Sequence, residues 1–411
     1  MTPAHDAIVV GAGPAGATAA LLLARAGWQV ALVEKTPFPR RKVCGDFISA
    51  PTWPLLQGMG LAAALTDIAG PVVRRIGFFA GSAMLAEELA NAGGQERGGR
   101  AVPRELLDAL LLARSLSAGV RVWQPWKLAS FAEHEGEYAC TLVEAQTGRS
   151  RTLRTRLVIA AHGSWEHGPM PTQGAHHRPG AGSLFAFKAL LRNSSLAPGL
   201  MPLLAFPGGY GGLVHTGVDH VGLSCCIRHD RLRRCRQEWP AATAGEAVLA
   251  HIERSCEGVS RALASATVEG AWLASGPLRT GLHGFGHGGL FAIGNAAAEA
   301  HPVVAEGISM AIQSAALLCG HLIAHPLRPP DLARSADALA DVRRRYAIAW
   351  REAFSARLRL AALLAHVCMR PAGARLAAAV LARFPHLLAT AARWSGKGDP
   401  PEFQAGVAAR P

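Results

Sequence analysis

The densest run of chemically suggestive residues opens the chain, where Gly11-Ala12-Gly13-Pro14-Ala15-Gly16 is followed by Glu34. Glycines at these intervals have separable jobs. Gly11 permits a tight turn, Gly13 lets the backbone approach a pyrophosphate, and Gly16 lets a helix pack closely on a strand. Glu34 is spaced to accept hydrogen bonds from a ribose, and its charge disfavours a 2′-phosphate there. A second group lies far along the chain: Gly294-Asn295-Ala296-Ala297, His301-Pro302 and Glu306-Gly307-Ile308. Helix-opening amides at Gly307 and Ile308 would stabilise negative charge on a reduced ring system. Between the two groups, Cys44-Gly45-Asp46 brings a thiol and a carboxylate together. Cys44 reads as a redox or nucleophilic group or as a small packing residue, and Asp46 as a group orienting a substrate hydroxyl or as a turn cap. His301 and Tyr210 are further catalytic candidates, and His215 is a weaker one for the pocket wall.

These residues need elements to hold them. Residues 7–10 are a short apolar strand, residues 17–26 an Ala- and Leu-rich helix stopped by Gly27, and residues 29–33 a second strand ending at Glu34. The helix start offers free N–H groups and partial positive charge to phosphates. Residues 290–293 form another buried strand, and a helix is expected over 309–318. The first motif alone serves NAD and FAD equally. The second strand–glycine–helix unit supplies the further wall that a ribityl chain and isoalloxazine require, so FAD is the expected cofactor.

With these segments in view, the chain resembles FAD-dependent oxidoreductases of the p-hydroxybenzoate hydroxylase fold, geranylgeranyl-reductase-like branch, related to flavin-dependent monooxygenases and halogenases. The matching text is residues 9–16, Phe38-Pro39-Arg40-Arg41-Lys42-Val43-Cys44-Gly45-Asp46, Val102-Pro103-Arg104 with Leu107-Asp108, and the segment from Gly294 to Ile308. The resemblance implies cofactor contacts from Gly11, Gly13, Pro14, Ala15, Gly16, Glu34, Lys35, Arg41, Cys44, Gly45, Arg104, Gly163, Gly294, Asn295, Pro302, Glu306, Gly307 and Ile308. The family's Gly-Asp is Gly294-Asn295 here, and its middle Gly-Ala-Asp-Gly is Ala160-Ala161-His162-Gly163, which lacks the aspartate that bridges FAD and nicotinamide nucleotide. The Trp-x-Trp-x-Ile-Pro segment of tryptophan halogenases is absent, with only Trp165-Glu166-His167 nearby.

The implied fold class is α/β: a Rossmann-like FAD-binding domain with an inserted antiparallel-sheet substrate domain and a helical C-terminal region. Residues 1–70, 100–180 and 275–330 are expected in the FAD-binding domain, 71–99 and 181–274 in the sheet domain, and 331–411 in the helical region. Phe206-Pro207-Gly208-Gly209-Tyr210-Gly211-Gly212 suits a hairpin near substrate. Tyr346, Trp350, Phe354 and Leu358 recur every four residues as a stripe that docks on the core. The Ala/Leu/Arg-rich stretch 357–393 could also touch a membrane surface.

Composition narrows the partners. The chain has 411 residues, half of them apolar, and 42 Lys and Arg against 29 Asp and Glu, for a net charge of +13. Basic residues scattered among apolar ones, without a nucleic-acid motif, point to cofactor phosphates and solvated faces. The eight cysteines form no C-x-x-C, and His176-His177 is an isolated pair, so neither a metal site nor a disulfide framework is expected. No secretory pattern opens the chain, and a cytoplasmic protein, peripheral at a membrane at most, is expected. The expected activity is monooxygenation of an apolar, aromatic or polyketide- or lipid-like natural product through a flavin C4a-hydroperoxide. The alternative is reduction of an isoprenoid or lipid double bond. Halogenation and a non-catalytic flavoprotein partner are minor readings. Electrons would come from NAD(P)H or a partner flavin reductase.

Overall fold

The computed structural model describes residues 5–89, 98–164, 167–174 and 178–397. Trp165, Glu166 and the His176-His177 pair lie outside the described residues. At its centre is a parallel five-stranded sheet in the order Leu290–Ala292, Val158–Ala160, Ala7–Val10, Val30–Val33, Arg121–Trp123. The Ala7–Val10 and Val30–Val33 strands are buried throughout, as strands covered on both faces must be. Helix Pro14–Arg25 leaves the first strand with proline in its opening turn and ends ahead of Gly27, whose φ of 86° suits glycine. Helix Gly307–Ile323 packs beside it and is longer than its local pattern suggests, because burial on nearly every side sustains it.

A second sheet has seven strands, ordered Thr267–Ser275, Leu184–Arg192, His220–Arg228, Gly209–His215, Leu200–Phe206, Arg75–Ala80, Ala83–Glu88. All neighbours run antiparallel except Leu200–Phe206 with Arg75–Ala80. The sheet is thus antiparallel as expected but for that one pair, whose strands come from separate chain segments, so no hairpin dictates their relative direction. A small antiparallel sheet, Trp126–His134, Glu137–Glu144 and Ser150–Thr155, flanks the nucleotide side.

In the C-terminal region the short helix Pro329–Arg334 leads into the 33-residue helix Ala336–Cys368. Tyr346, Trp350 and Phe354 are buried in the nucleotide-side core, with Trp350 stacked edge-on against Phe285 at 5.3 Å and Phe354 at 5.2 Å. Each such side chain contributes roughly 1.5–3 kcal/mol by leaving water. The same helix then crosses to the large sheet, where Ala365 and Cys368 join a different apolar cluster with helices Pro371–Arg383 and His386–Ala392. Among the described residues, no helix is long and apolar enough to cross a membrane.

Candidate active site

The opening motif forms one end of the site. Gly11 has a φ of 104°, and a Cβ there would lie 2.5 Å from the Ala161 carbonyl oxygen. A Cβ at Gly16 would lie 1.8 Å from the Gly11 oxygen, so strand and helix meet only because both positions are glycine. Glu34 is buried at the end of the second strand. Its carboxylate accepts from the backbone N–H of Ala12 at 3.0 Å and of Thr36 at 2.9 Å, and from the Arg40 guanidinium at 2.8 Å. Three bonds leave lone-pair capacity for a ribose hydroxyl. Arg104 opens its helix and grips Asp108 with two bonds of 2.8 Å. Burial alone would lower the Arg104 pKa, but Asp108 and Cys44 together outweigh it and the net direction is up. The guanidinium therefore stays charged beside Gly13.

Further along, Cys44, Gly45 and Asp46 face Pro302, Ala305 and Gly307 across one cavity. Asp46 takes a left-handed φ of 58°, which an Asp tolerates, and its buried carboxylate pairs with the equally buried Lys188 of the large sheet. Burial pushes the Asp46 carboxyl up while the Lys188 ammonium pulls against it. One carboxylate oxygen, Oδ1, is buried without a protein partner. Gly45, Gly163 and Gly307 line the cavity with open space where a Cβ would stand, a surface on which a flat ring can rest. This geometry fits FAD: phosphates at Gly13 and the helix start, ribose at Glu34, isoalloxazine among Gly45, Pro302 and Gly307.

The cavity continues beneath the large sheet, with a volume of about 880 Å³ overall. Ile76, Phe78, Met201 and Leu203 form its sheet wall, and Val367, Leu381 and Leu388 of the C-terminal helices close it. Into this apolar chamber project Tyr210 and Glu299. Tyr210 is buried, shares a 3.2 Å hydrogen bond with His301 and faces the Cys226 thiol. Burial, with Cys226 and Glu299 beside it, raises the Tyr210 pKa, so the phenol is neutral and can donate. Glu299 accepts from the Ser164 hydroxyl at 2.6 Å. Burial pushes its carboxyl up to about 7, against the pull of Ser164 and Arg279. A carboxyl poised near neutrality beside a neutral phenol can bind a substrate hydroxyl and hold or release its proton.

Several expected site residues stand elsewhere. Arg41 does not line the cavity; it is half-exposed, 3.9 Å from Glu105, and Arg40 is the guanidinium that reaches Glu34. The Glu306 carboxylate is fully buried outside the lining, where it accepts from Ser49 at 2.9 Å and Lys397 at 3.3 Å. It thereby ties the C-terminal segment to the nucleotide side. Gly16 acts through packing, and Gly294 borders a small neighbouring pocket. His301 stands behind Tyr210, with Thr280 at 3.3 Å, and burial lowers its pKa. His215 is buried with Nε2 bonded to the Leu196 carbonyl at 2.8 Å and takes no part in the cavity wall. Gly11, Gly13, Pro14, Ala15, Glu34, Lys35, Cys44, Gly45, Arg104, Gly163, Asn295, Pro302, Gly307 and Ile308 do line it. Among the described residues no group of His, Cys, Asp and Glu is placed to hold a metal ion.

Sequence reasoning missed Arg40, Lys188, Glu299 and the C-terminal wall. Two of these carried a signal. Lys188 is the one charge in the apolar run from Leu184 to Leu191, and Glu299 interrupts an alanine-rich stretch. A charge inside a buried-type segment implies a partner facing it.

A sequence profile described as FAD binding domain matches residues 4–337. Menaquinone reductase of Mycolicibacterium smegmatis is 44% identical over 79 residues, which is 19% of this chain and 19% of that protein. Among solved structures, the myxobacterial chondrochloren halogenase CndH superposes with a TM-score of 0.74 at 19% identity, over 98% of this chain and 92% of its own. PqsL of Pseudomonas aeruginosa, described as a probable FAD-dependent monooxygenase, gives a TM-score of 0.70 at 20% identity, over 90% of this chain and 98% of its own. At such identities the likeness concerns the fold. The chain matches 33%, 19% and 31% of the lengths of the first three curated relatives.

Proposed function

This chain belongs to the FAD-binding-domain family, and from that premise we propose that it is a monooxygenase adding one oxygen atom to an apolar, hydroxylated aromatic substrate. The fold is that of the flavoenzymes its motifs resemble, shared by halogenases, monooxygenases and reductases. The observation carrying the proposal is the continuity of the cavity. It leads from the nucleotide motif past Gly45 and Pro302 into a chamber whose apolar walls are broken by Tyr210 and Glu299.

When bound, FAD supplies two-electron redox chemistry and the capacity to activate molecular oxygen. The protein's own work is positioning. Gly13 and Arg104 hold the phosphate end, and Glu34 the ribose. The apolar wall of Ile76, Phe78 and Leu381 excludes water from the reacting face. Glu299, in its carboxylate form, accepts the substrate's O–H and so raises electron density on the ring, while Tyr210 donates to the same oxygen. Electrons come from NAD(P)H or from a separate flavin reductase.

A reductase acting on a quinone or isoprenoid double bond is the second reading. It draws on the local identity with menaquinone reductase and on Cys44-Gly45-Asp46 beside the ring position. Product mass separates the two. FAD-loaded protein is supplied with reductant, oxygen, halide and a panel of phenolic lipids, and in parallel, without oxygen, with polyprenyl acceptors. Gain of one oxygen atom by a phenol supports monooxygenation. Gain of two hydrogens by a polyprenyl acceptor overturns it in favour of reduction, and gain of a halogen in favour of halogenation.

A further inference from the structure

The helices that close the cavity carry an exposed surface unlike the rest of the molecule. Leu376, Val380 and Phe384 follow one another at four-residue spacing along helix Pro371–Arg383 and its end, with Leu376 67% and Phe384 46% exposed. Leu387 and Trp394, the latter 74% exposed, continue the patch. Val380 and Leu387 are at once exposed and part of the cavity lining, so the patch surrounds a mouth of the chamber.

Its charge is as one-sided as its apolarity. From Arg357 to Lys397 the sequence holds seven basic residues and no acid. Arg370, Arg375, Arg383 and Arg393 are exposed there, and none is in an ion pair among the described residues. Some exposed arginines elsewhere do have acidic partners, as in Arg149 with Glu144, Arg192 with Glu269 and Arg254 with Glu238.

We propose that this face docks on an anionic lipid bilayer, placing the mouth at Val380 and Leu387 against the hydrocarbon so that a lipophilic substrate enters without crossing water. An anionic bilayer offers what the patch lacks: hydrocarbon for Leu376, Phe384 and Trp394, and negative charge for the arginines. A second copy offers only the first. In a two-fold pair the patch meets itself, setting arginines against arginines. The purpose of docking rests on the apolar-substrate reading; the docking itself does not, and its test requires no turnover.

Full-length, FAD-loaded protein is floated with vesicles of phosphatidylcholine alone and of phosphatidylcholine mixed with phosphatidylglycerol. Flotation with the anionic vesicles, weakened by salt, is the expected result. Leu376→Asp with Phe384→Asp lowers binding by about tenfold or more, with FAD content and melting temperature retained. As a readout that introduces no new charge, Trp394→Phe removes the blue shift in tryptophan emission on vesicle addition. Absence of flotation with any vesicle overturns the proposal, as does equal flotation of the double variant. A stable dimer in light scattering, dispersed by the same substitutions, assigns the face to a second copy instead. Flotation only after removal of residues 398–411 assigns it to the chain's own terminus.

Discussion

The two ends of the cavity are built on opposite principles. At the nucleotide end the work falls to backbone: glycines at positions 11, 13 and 16, a helix start, and one carboxylate braced by two amides and Arg40. All but Arg104 and its partner Asp108 come from the first forty residues. At the substrate end the work falls to side chains drawn from across the chain: Ser164, Tyr210, Glu299, and Leu381 and Leu388 of the terminal helices. A ligand common to a whole family can be held by conformation, which few residues specify. A ligand particular to one protein is recognised by a chamber whose walls can change independently of its fold. The buried pair of Asp46 and Lys188 joins the two ends.

The sharpest way to break this contrast is at the backbone. Gly16→Val puts side-chain atoms where even a Cβ would lie 1.8 Å from the Gly11 oxygen. It is expected to weaken FAD binding by about 100-fold or more, read by flavin titration, whereas Leu388→Ala leaves FAD binding unchanged. Equal loss from both would erase the distinction between the ends.

Next in size is the joint between them. Lys188→Met strands the Asp46 carboxylate in a buried site, at a cost of about 3–5 kcal/mol in denaturant unfolding. Adding Asp46→Asn, which keeps a residue tolerant of the left-handed backbone, recovers most of it. A double variant no more stable than Lys188→Met alone would show that the pair acts through something other than mutual neutralisation.

Glu299 tests the substrate end through pH. Its folded carboxyl titrates at about 7, above the ordinary 4.5, so between those values the folded state binds more protons than the unfolded. Stability from this group is therefore full below pH 4.5 and lost as pH rises towards 7. The loss is at most about 3 kcal/mol. Glu299→Gln should lack this decline, so its melting temperature gains on the parent's as pH rises. Parallel melting curves across that range would place the titration elsewhere.

The smallest effect is expected from Tyr210→Phe. It removes the hydroxyl shared with His301 at a cost of about 1 kcal/mol in stability, while raising KM for a hydroxylated substrate more than for its deoxy analogue. Equal changes for both would limit Tyr210 to packing.

The sequence by itself determined the α/β nucleotide half, the FAD motif and the docking stripe of Tyr346, Trp350 and Phe354. Each depends on local periodicity or on glycines whose spacing dictates backbone geometry, and such features are complete within a few turns of chain. Only the tertiary structure decided that Arg40 rather than Arg41 meets Glu34, that His301 stands behind Tyr210, and that Lys188 answers Asp46 across 142 residues. It also decided the parallel pairing within the large sheet and the use of the terminal helices as a cavity wall. Contacts between distant segments follow from how whole elements pack, and no window of sequence contains both partners.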